Sequence, residues 1–249
     1  MRIYFFEKNS LSWGMAGLII LGLLAFAFLK IVSPQMAAVP AQAVYQGNSG
    51  QKAVAICINV DWGEEYLPDM LKVLKEHEAK VTFFVTGQWA GKNPELIKQM
   101  QQEGHSIQNH GYKHLHFNNL SGEQAREQII KTGQIIKKLT RQESVYFAPP
   151  YGEFNNNLVA VAENLNYKLI MWSIDTIDWE LPAADTIVKR VTNQLHNDAI
   201  ILMHPTQPTL EALPELIAQI KSSGYQILTL DKIILIQNEK NDKHEKTNL

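Results

Sequence analysis

The chain has 249 residues, enough for one large α/β domain or two small ones, and its apolar residues, 45% of the total, can fill a sizeable core. A formal net charge of −2, with no basic stripe, excludes the electrostatic footprint of a nucleic-acid binder. The single cysteine, Cys57, excludes an internal disulfide, so the fold must stand on its core alone.

From Leu11 to Leu29 no residue is charged, about the length a helix needs to cross a bilayer core. Arg2 and Lys8 precede this stretch, and no Lys or Arg lies between Lys30 and Lys52. The positive-inside rule therefore leaves the N-terminus in the cytoplasm and places the rest of the chain outside a membrane that anchors it. Ala41-Gln42-Ala43 has the small-residue pattern of a cleavage site, so residues 1–32 read either as an anchor or as a signal peptide, the protein being secreted in the second case. Residues 33–52, with Pro34, Pro40, Gly47 and Gly50, read as a linker. The charged tail 238–249 reads as disordered, which leaves 53–237 as the folded domain.

Within that domain, short apolar runs alternate with segments of helical period. The predicted strands are 53–60, 81–85, 106–109, 144–147, 168–172, 199–203 and 226–230, about seven in all. Cys57 falls inside the first of them, where a buried inert thiol is expected. Ser121 with Gln124 forms a capping box ahead of one helix, and Gly224 ends another. Alternating β and α units imply a parallel sheet covered by helices, either doubly wound or closed as a barrel. Asn59 and Asp61, His110, residues 149–152, residues 175–179 and His204 all fall just past a predicted strand, where barrel enzymes build their sites, and this favours the barrel.

Four of the eight histidines lie between His105 and His116. Neutral imidazole is the commonest side-chain metal ligand near neutral pH, and His110 and His114 are spaced to meet one Zn²⁺ from a single turn. The competing reading is a set of partly buried histidines satisfied by hydrogen bonds. His105 and His116 read as supporting or structural, and His77, His196 and His244 suggest no role.

In order along the chain, His110-x-x-x-His114, Ala148-Pro149-Pro150-Tyr151-Gly152, Asp175-x-x-Asp178-Trp179 and Leu202-x-His204 resemble the motifs of the polysaccharide deacetylases, the NodB-homology family of carbohydrate esterases. The segment Val60 to Tyr66, with Ile200 to Thr206, looks like a subgroup found in spore-forming bacteria. The resemblance implies a distorted (β/α)₇ barrel that removes acetyl groups from N-acetylated sugars of peptidoglycan or a chitin-like cell-wall polysaccharide. It makes His110 and His114 ligands of Zn²⁺ or another divalent metal. It makes His204 the general acid, with Asp178 orienting its ring so that a proton is held for the departing amine. Trp179 and Leu202 would wall the acetyl pocket. Tyr151, in the turn set by Pro149 and Pro150, would offer its backbone N–H to the oxyanion.

The sequence also departs from the family. Two adjacent Asp residues, one the base and one the third metal ligand, normally follow strand one, and an ungapped match anchored on Glu65-Tyr66 places Asn59 and Val60 there. Asn cannot take a proton near neutral pH, and Val cannot bind a metal. The Arg that usually precedes the paired prolines and holds the catalytic carboxylate is Ala148. Losing a carboxylate together with its cation is coherent, because an unpaired buried Arg would be costly. Asp61, two positions beyond Asn59 on the same side of an extended chain, is the substitute carboxylate, and Glu64 is a poorer one. Two functions remain in competition, a metal-dependent deacetylase using Asp61 and a catalytically impaired glycan-binding barrel. A solute-binding or purely structural wall protein on the same fold is a third.

Overall fold

The computed structural model describes residues 42–235. The predicted anchor or signal segment 1–32 and the tail 238–249 lie outside the described residues, and among the described residues no helix is long and apolar enough to cross a membrane.

Among the described residues, eight strands form one sheet: β1 (Ala53–Val60), β2 (Thr82–Val85), β3 (Ser106–Asn109), β4 (Tyr146–Phe147), β5 (Lys168–Leu169), β6 (Ile174–Asp175), β7 (Ala199–Met203) and β8 (Gln226–Ile227). Their order is β5-β4-β3-β2-β1-β7-β6, with β8 also on β1, and every strand pair is parallel. Between them run α1 (Leu67–Glu76), α2 (Gly87–Lys92), α3 (Pro94–Gln102), α4 (Gly122–Thr140), α5 (Asn156–Asn164), α6 (Ala184–Thr192), α7 (Gln207–Ser222) and α8 (Leu230–Ile233). This is a parallel half-barrel of the (β/α)₇ type. The expected closed ring is not complete, because β5 and β6 follow one another in sequence yet stand at the two ends of the strand order.

The sheet is built from alternation. On β1, Val54, Ile56, Ile58 and Val60 face the helices together with Leu71, Leu74, Leu213 and Ile217, while Ala53, Ala55 and Cys57 face the barrel interior with Phe84, Tyr146 and Ile200. All eight β1 residues are buried, as a strand covered on both faces must be. Each buried Val, Ile or Leu contributes roughly 1.5–3 kcal/mol. The small interior residues leave room for the ends of the strands to converge.

Both predicted helix signals are used. Ser121 accepts from the Gln124 backbone N–H while the Gln124 side chain accepts from the Ser121 N–H, and Gly224, at φ +81°, turns the chain after α7. β6 was not predicted, since two residues ending in an aspartate carry no periodic signal. Part of the stretch read as a linker is attached to the barrel. Val44 bridges to Ile170, Gln46 bridges to Ala199, and the buried Asp198 carboxylate accepts from Ser49 Oγ and from the Gly50 N–H. Pro/Gly content marked this segment as irregular, but irregular backbone can still be docked.

Candidate functional site

The loops after β1, β3, β4, β6 and β7 all leave the same edge of the parallel sheet. His110 follows β3 directly. It is buried, and its Nδ1 lies 2.7 Å from the Ala148 carbonyl oxygen. A carbonyl only accepts, so Nδ1 carries the proton and Nε2 keeps its lone pair. Burial, and secondarily the charge of His114, lower its pKa to about 3, so the ring is neutral at physiological pH. His114 packs edge-on at 5.2 Å between ring centroids. Its pKa is also lowered, by burial first, while Asp61 opposes the shift. The charge of His204 adds a smaller lowering at both His110 and His114.

His204, just past β7, is fixed by Asp178, a fully buried carboxylate in the short 3₁₀ turn 178–180. Asp178 Oδ1 accepts from His204 Nδ1 at 2.7 Å, and Oδ2 accepts from the His204 backbone N–H at 2.6 Å. The Thr209 hydroxyl donates to Oδ2 at 2.6 Å. With Nδ1 committed, Nε2 is the nitrogen left to act on a ligand. Asp175, the other aspartate of that motif, accepts from the Ile177 N–H at 2.8 Å and shapes the turn.

At the end of β1 the sequence expectations divide. Asn59 continues the interior face, and only 7% of it is exposed. Its Oδ1 has no hydrogen-bond partner among the described residues. It lines a small interior cavity with Cys57, Phe84, Ala148, Trp172 and Leu202, about 10 Å³ as water could occupy it, room for one water at most. Burial pushes the Cys57 thiol up, as expected of an inert one. Val60 points the other way, into the apolar layer under the helices, so that position is turned from the site altogether. Asp61 lies past the strand, and its Oδ1 accepts from Thr86 Oγ1 at 2.6 Å. Glu64 is engaged elsewhere, accepting from Trp89 Nε1 at 3.2 Å.

The rest of the rim is aromatic. Tyr151 has φ +58°, an unusual conformation for a bulky residue, held by the turn begun by Pro149 and Pro150. Its ring stacks on His116 at 3.9 Å and meets the His114 ring edge-on at 4.4 Å, and His116 Nδ1 lies 3.1 Å from Glu153 Oε2. Trp179 stands exposed on the 178–180 turn, whereas Leu202 is buried beneath, in the cavity with Asn59. The two predicted walls of an acetyl pocket therefore do not line that cavity together. His105 is also displaced from its sequence neighbours: buried just before β3, its Nδ1 accepts from the Val81 N–H at 3.2 Å and its ring packs edge-on against Phe83.

The polysaccharide deacetylase family profile matches residues 46–170. The chain belongs to that family. It is 41% identical over 191 residues to the uncharacterized protein YlxY of Bacillus subtilis, covering 77% of this chain and 60% of YlxY. It is 33% identical over 201 residues to a peptidoglycan-N-acetylglucosamine deacetylase of Bacillus cereus, covering 79% of this chain and 73% of that one. Among solved structures it resembles BA3943 of Bacillus anthracis, a carbohydrate esterase family 4 pseudoenzyme, at 38% identity and a TM-score of 0.74 over 78% of this chain and 71% of that one. A mutant of BA3943 is described as having restored enzymatic activity.

Members of the family are generally metal-dependent. Here His110 and His114 are neutral, and His110 is aimed by the Ala148 carbonyl as a metal-binding imidazole is aimed by an outer acceptor. They fit two ligand places. Among the described residues no three His, Cys, Asp or Glu side chains come together as a group that could hold a metal ion, so Asp61, though near enough to influence His114, is not assembled with them into a trio. Sequence reasoning missed Thr86, Thr209 and the Ala148 carbonyl. Thr86 and Thr206, the residue three before Thr209, were legible as helix N-caps, but nothing in the sequence ties Thr86 to Asp61 or Thr209 to Asp178.

Proposed function

We propose that the protein hydrolyses N-acetyl groups of a cell-wall glycan, peptidoglycan or a similar N-acetylglucosamine polymer, releasing acetate and a free amine. The observation that carries this reading is the His204–Asp178 pair. A buried carboxylate satisfied by three donors, two of them from His204, is a device for holding one imidazole nitrogen outward, which proton delivery needs. His110 and His114 are the residues that would hold a divalent cation, whose chemistry is to polarise the acetyl carbonyl and acidify a water.

Asp61, freed from Thr86 or sharing its second oxygen, takes the proton of the attacking water as that water adds to the carbonyl carbon. The Tyr151 backbone N–H donates to the oxyanion. His204 Nε2 gives its proton to the sugar nitrogen as the C–N bond breaks. Water supplies the hydroxyl of acetate, so the atoms balance. Trp179, exposed on the 178–180 turn, flanks the acetyl group, while Leu202 stays in the interior layer. Export and a membrane tether at residues 11–29 suit an extracytoplasmic substrate and are supported by the flanking charges Arg2 and Lys8.

A second reading, a glycan-binding barrel without hydrolysis, is favoured by one observation, the buried and unpartnered Oδ1 of Asn59, an amide at the position the ungapped match assigns to the base. Incubating zinc-loaded protein with N-acetylglucosamine oligomers separates the two. Acetate release supports the first, and glycan binding with no acetate supports the second.

A further inference from the structure

Tyr151, Trp62 and Trp179 stand on the rim that carries the histidines, 55%, 45% and 56% exposed. Single exposed apolar side chains are ordinary on a protein surface. Trp62 differs because two independent observations fix its place. Its indole lies parallel to the His204 imidazole, within 6° at 6.3 Å between ring centroids. The next residue, Gly63, has φ +83° and sits so close to the following loop that a Cβ there would be 2.2 Å from the Pro205 carbonyl oxygen. The turn after β1 is thus pressed onto the turn after β7, and the indole is held beside the imidazole instead of being folded into the core. Tyr151 differs in that His116 stacks on its ring at 3.9 Å, much closer than the 6.3 Å that separates Trp62 from His204.

We propose that Trp62 is a sugar-stacking platform, its open indole face covering the pyranose ring whose acetamido group is presented to His204. This rests on the N-acetyl-glycan reading above. A pyranose offers an apolar C–H face and a polar hydroxyl edge. Laying that face on an indole removes apolar surface from water on both partners and leaves the hydroxyls solvated. Indole and imidazole are near neighbours with parallel planes, so a sugar laid on the indole is held close to the imidazole whose Nδ1 is committed to Asp178.

The test is titration of the full chain with the N-acetylglucosamine tetramer, read by calorimetry and by tryptophan fluorescence. Wild type is expected to bind with a fluorescence change. Trp62→Ala and Trp62→Leu are expected to bind about tenfold more weakly, the scale of one aromatic contact, and Trp62→Phe to retain most of the affinity. Leucine keeps apolar bulk without a flat face, so its grouping with alanine distinguishes stacking from packing. If wild type binds and the Ala and Leu variants bind equally well, the platform is wrong while the glycan reading stands. If wild type binds no glycan, that reading fails and the platform falls with it.

Discussion

Introducing a carboxylate at Asn59 is the most searching perturbation of the remodelled site. The side chain is buried, its Oδ1 is unpartnered, and the cavity beside it admits one water at most. Ala148, which lines the same cavity, offers no cation. Asn59→Asp therefore buries an uncompensated charge, a situation that costs about 3–5 kcal/mol. For a domain of this size, at about 2–4 °C per kcal/mol, the melting temperature should fall by roughly 6–20 °C at pH 7. Desolvation raises the folded-state pKa of such an Asp above its unfolded value. The loss is then greatest at neutral and higher pH, and it disappears as the pH falls through the folded pKa toward the unfolded one near ~4. Ala148→Arg alone buries an unpaired guanidinium and is also destabilising. The double variant pairs the two charges, so its loss should be smaller than the sum by about 1.5 kcal/mol or more, although the larger side chain must displace its neighbours. Denaturant unfolding of the four proteins at pH 7 and pH 5 gives the cycle, and acetate release tests whether the restored base raises turnover. An Asn59→Asp protein as stable as wild type at pH 7, or strictly additive losses, would refute the placement of these two residues in one cavity.

Two further outcomes follow from the buried polar groups. Burial, and then the charge of Lys80, hold His105 down at about 4, so in the folded state it stays neutral while in the unfolded state it binds a proton below about 6.5. The stability this residue supports is complete above the unfolded value and is lost as the pH falls toward 4, by roughly 3 kcal/mol in all. Unfolding free energies of wild type should decline between pH 7 and pH 4.5, and His105→Asn should flatten that decline by about one proton's worth; identical slopes would contradict the assignment. Thr209→Val removes a donor from the fully buried Asp178, a charge-assisted bond contributing about 1.5–3 kcal/mol, and should lower the melting temperature by roughly 3–12 °C. An unchanged melt would mean that the Asp178 carboxylate does not depend on Thr209.

The long buried strand β1 and the helix caps were legible because they rest on local periodicity and side-chain to backbone geometry, both written in adjacent residues. The grouping of histidines in the sequence was only partly a grouping in space. His105 precedes β3 and His110 follows it, about 16 Å apart at ~3.3 Å per residue, so the same short segment supplies a core histidine at one end and a site histidine at the other. Asn59 lies on the interior face beside Cys57, as strand alternation dictates. Asp61 lies one residue past the end of β1, and its tie to the Thr86 hydroxyl comes from another strand's loop. The partners of Asp61, Asp178 and His110 come from other strands, so no single stretch of sequence announces them.

The central claim is that His110, His114 and His204 are gathered over one glycan-binding rim to carry out N-deacetylation. Acetate release from peptidoglycan by metal-loaded wild type and His204→Ala, with bound metal quantified in both, tests it most directly. The account predicts turnover in wild type and at least a hundredfold loss in the variant, on the scale of general acid catalysis at about 10²–10⁴, with equal metal content. Equal turnover in the two proteins, or none in wild type with metal and glycan both bound, would contradict it.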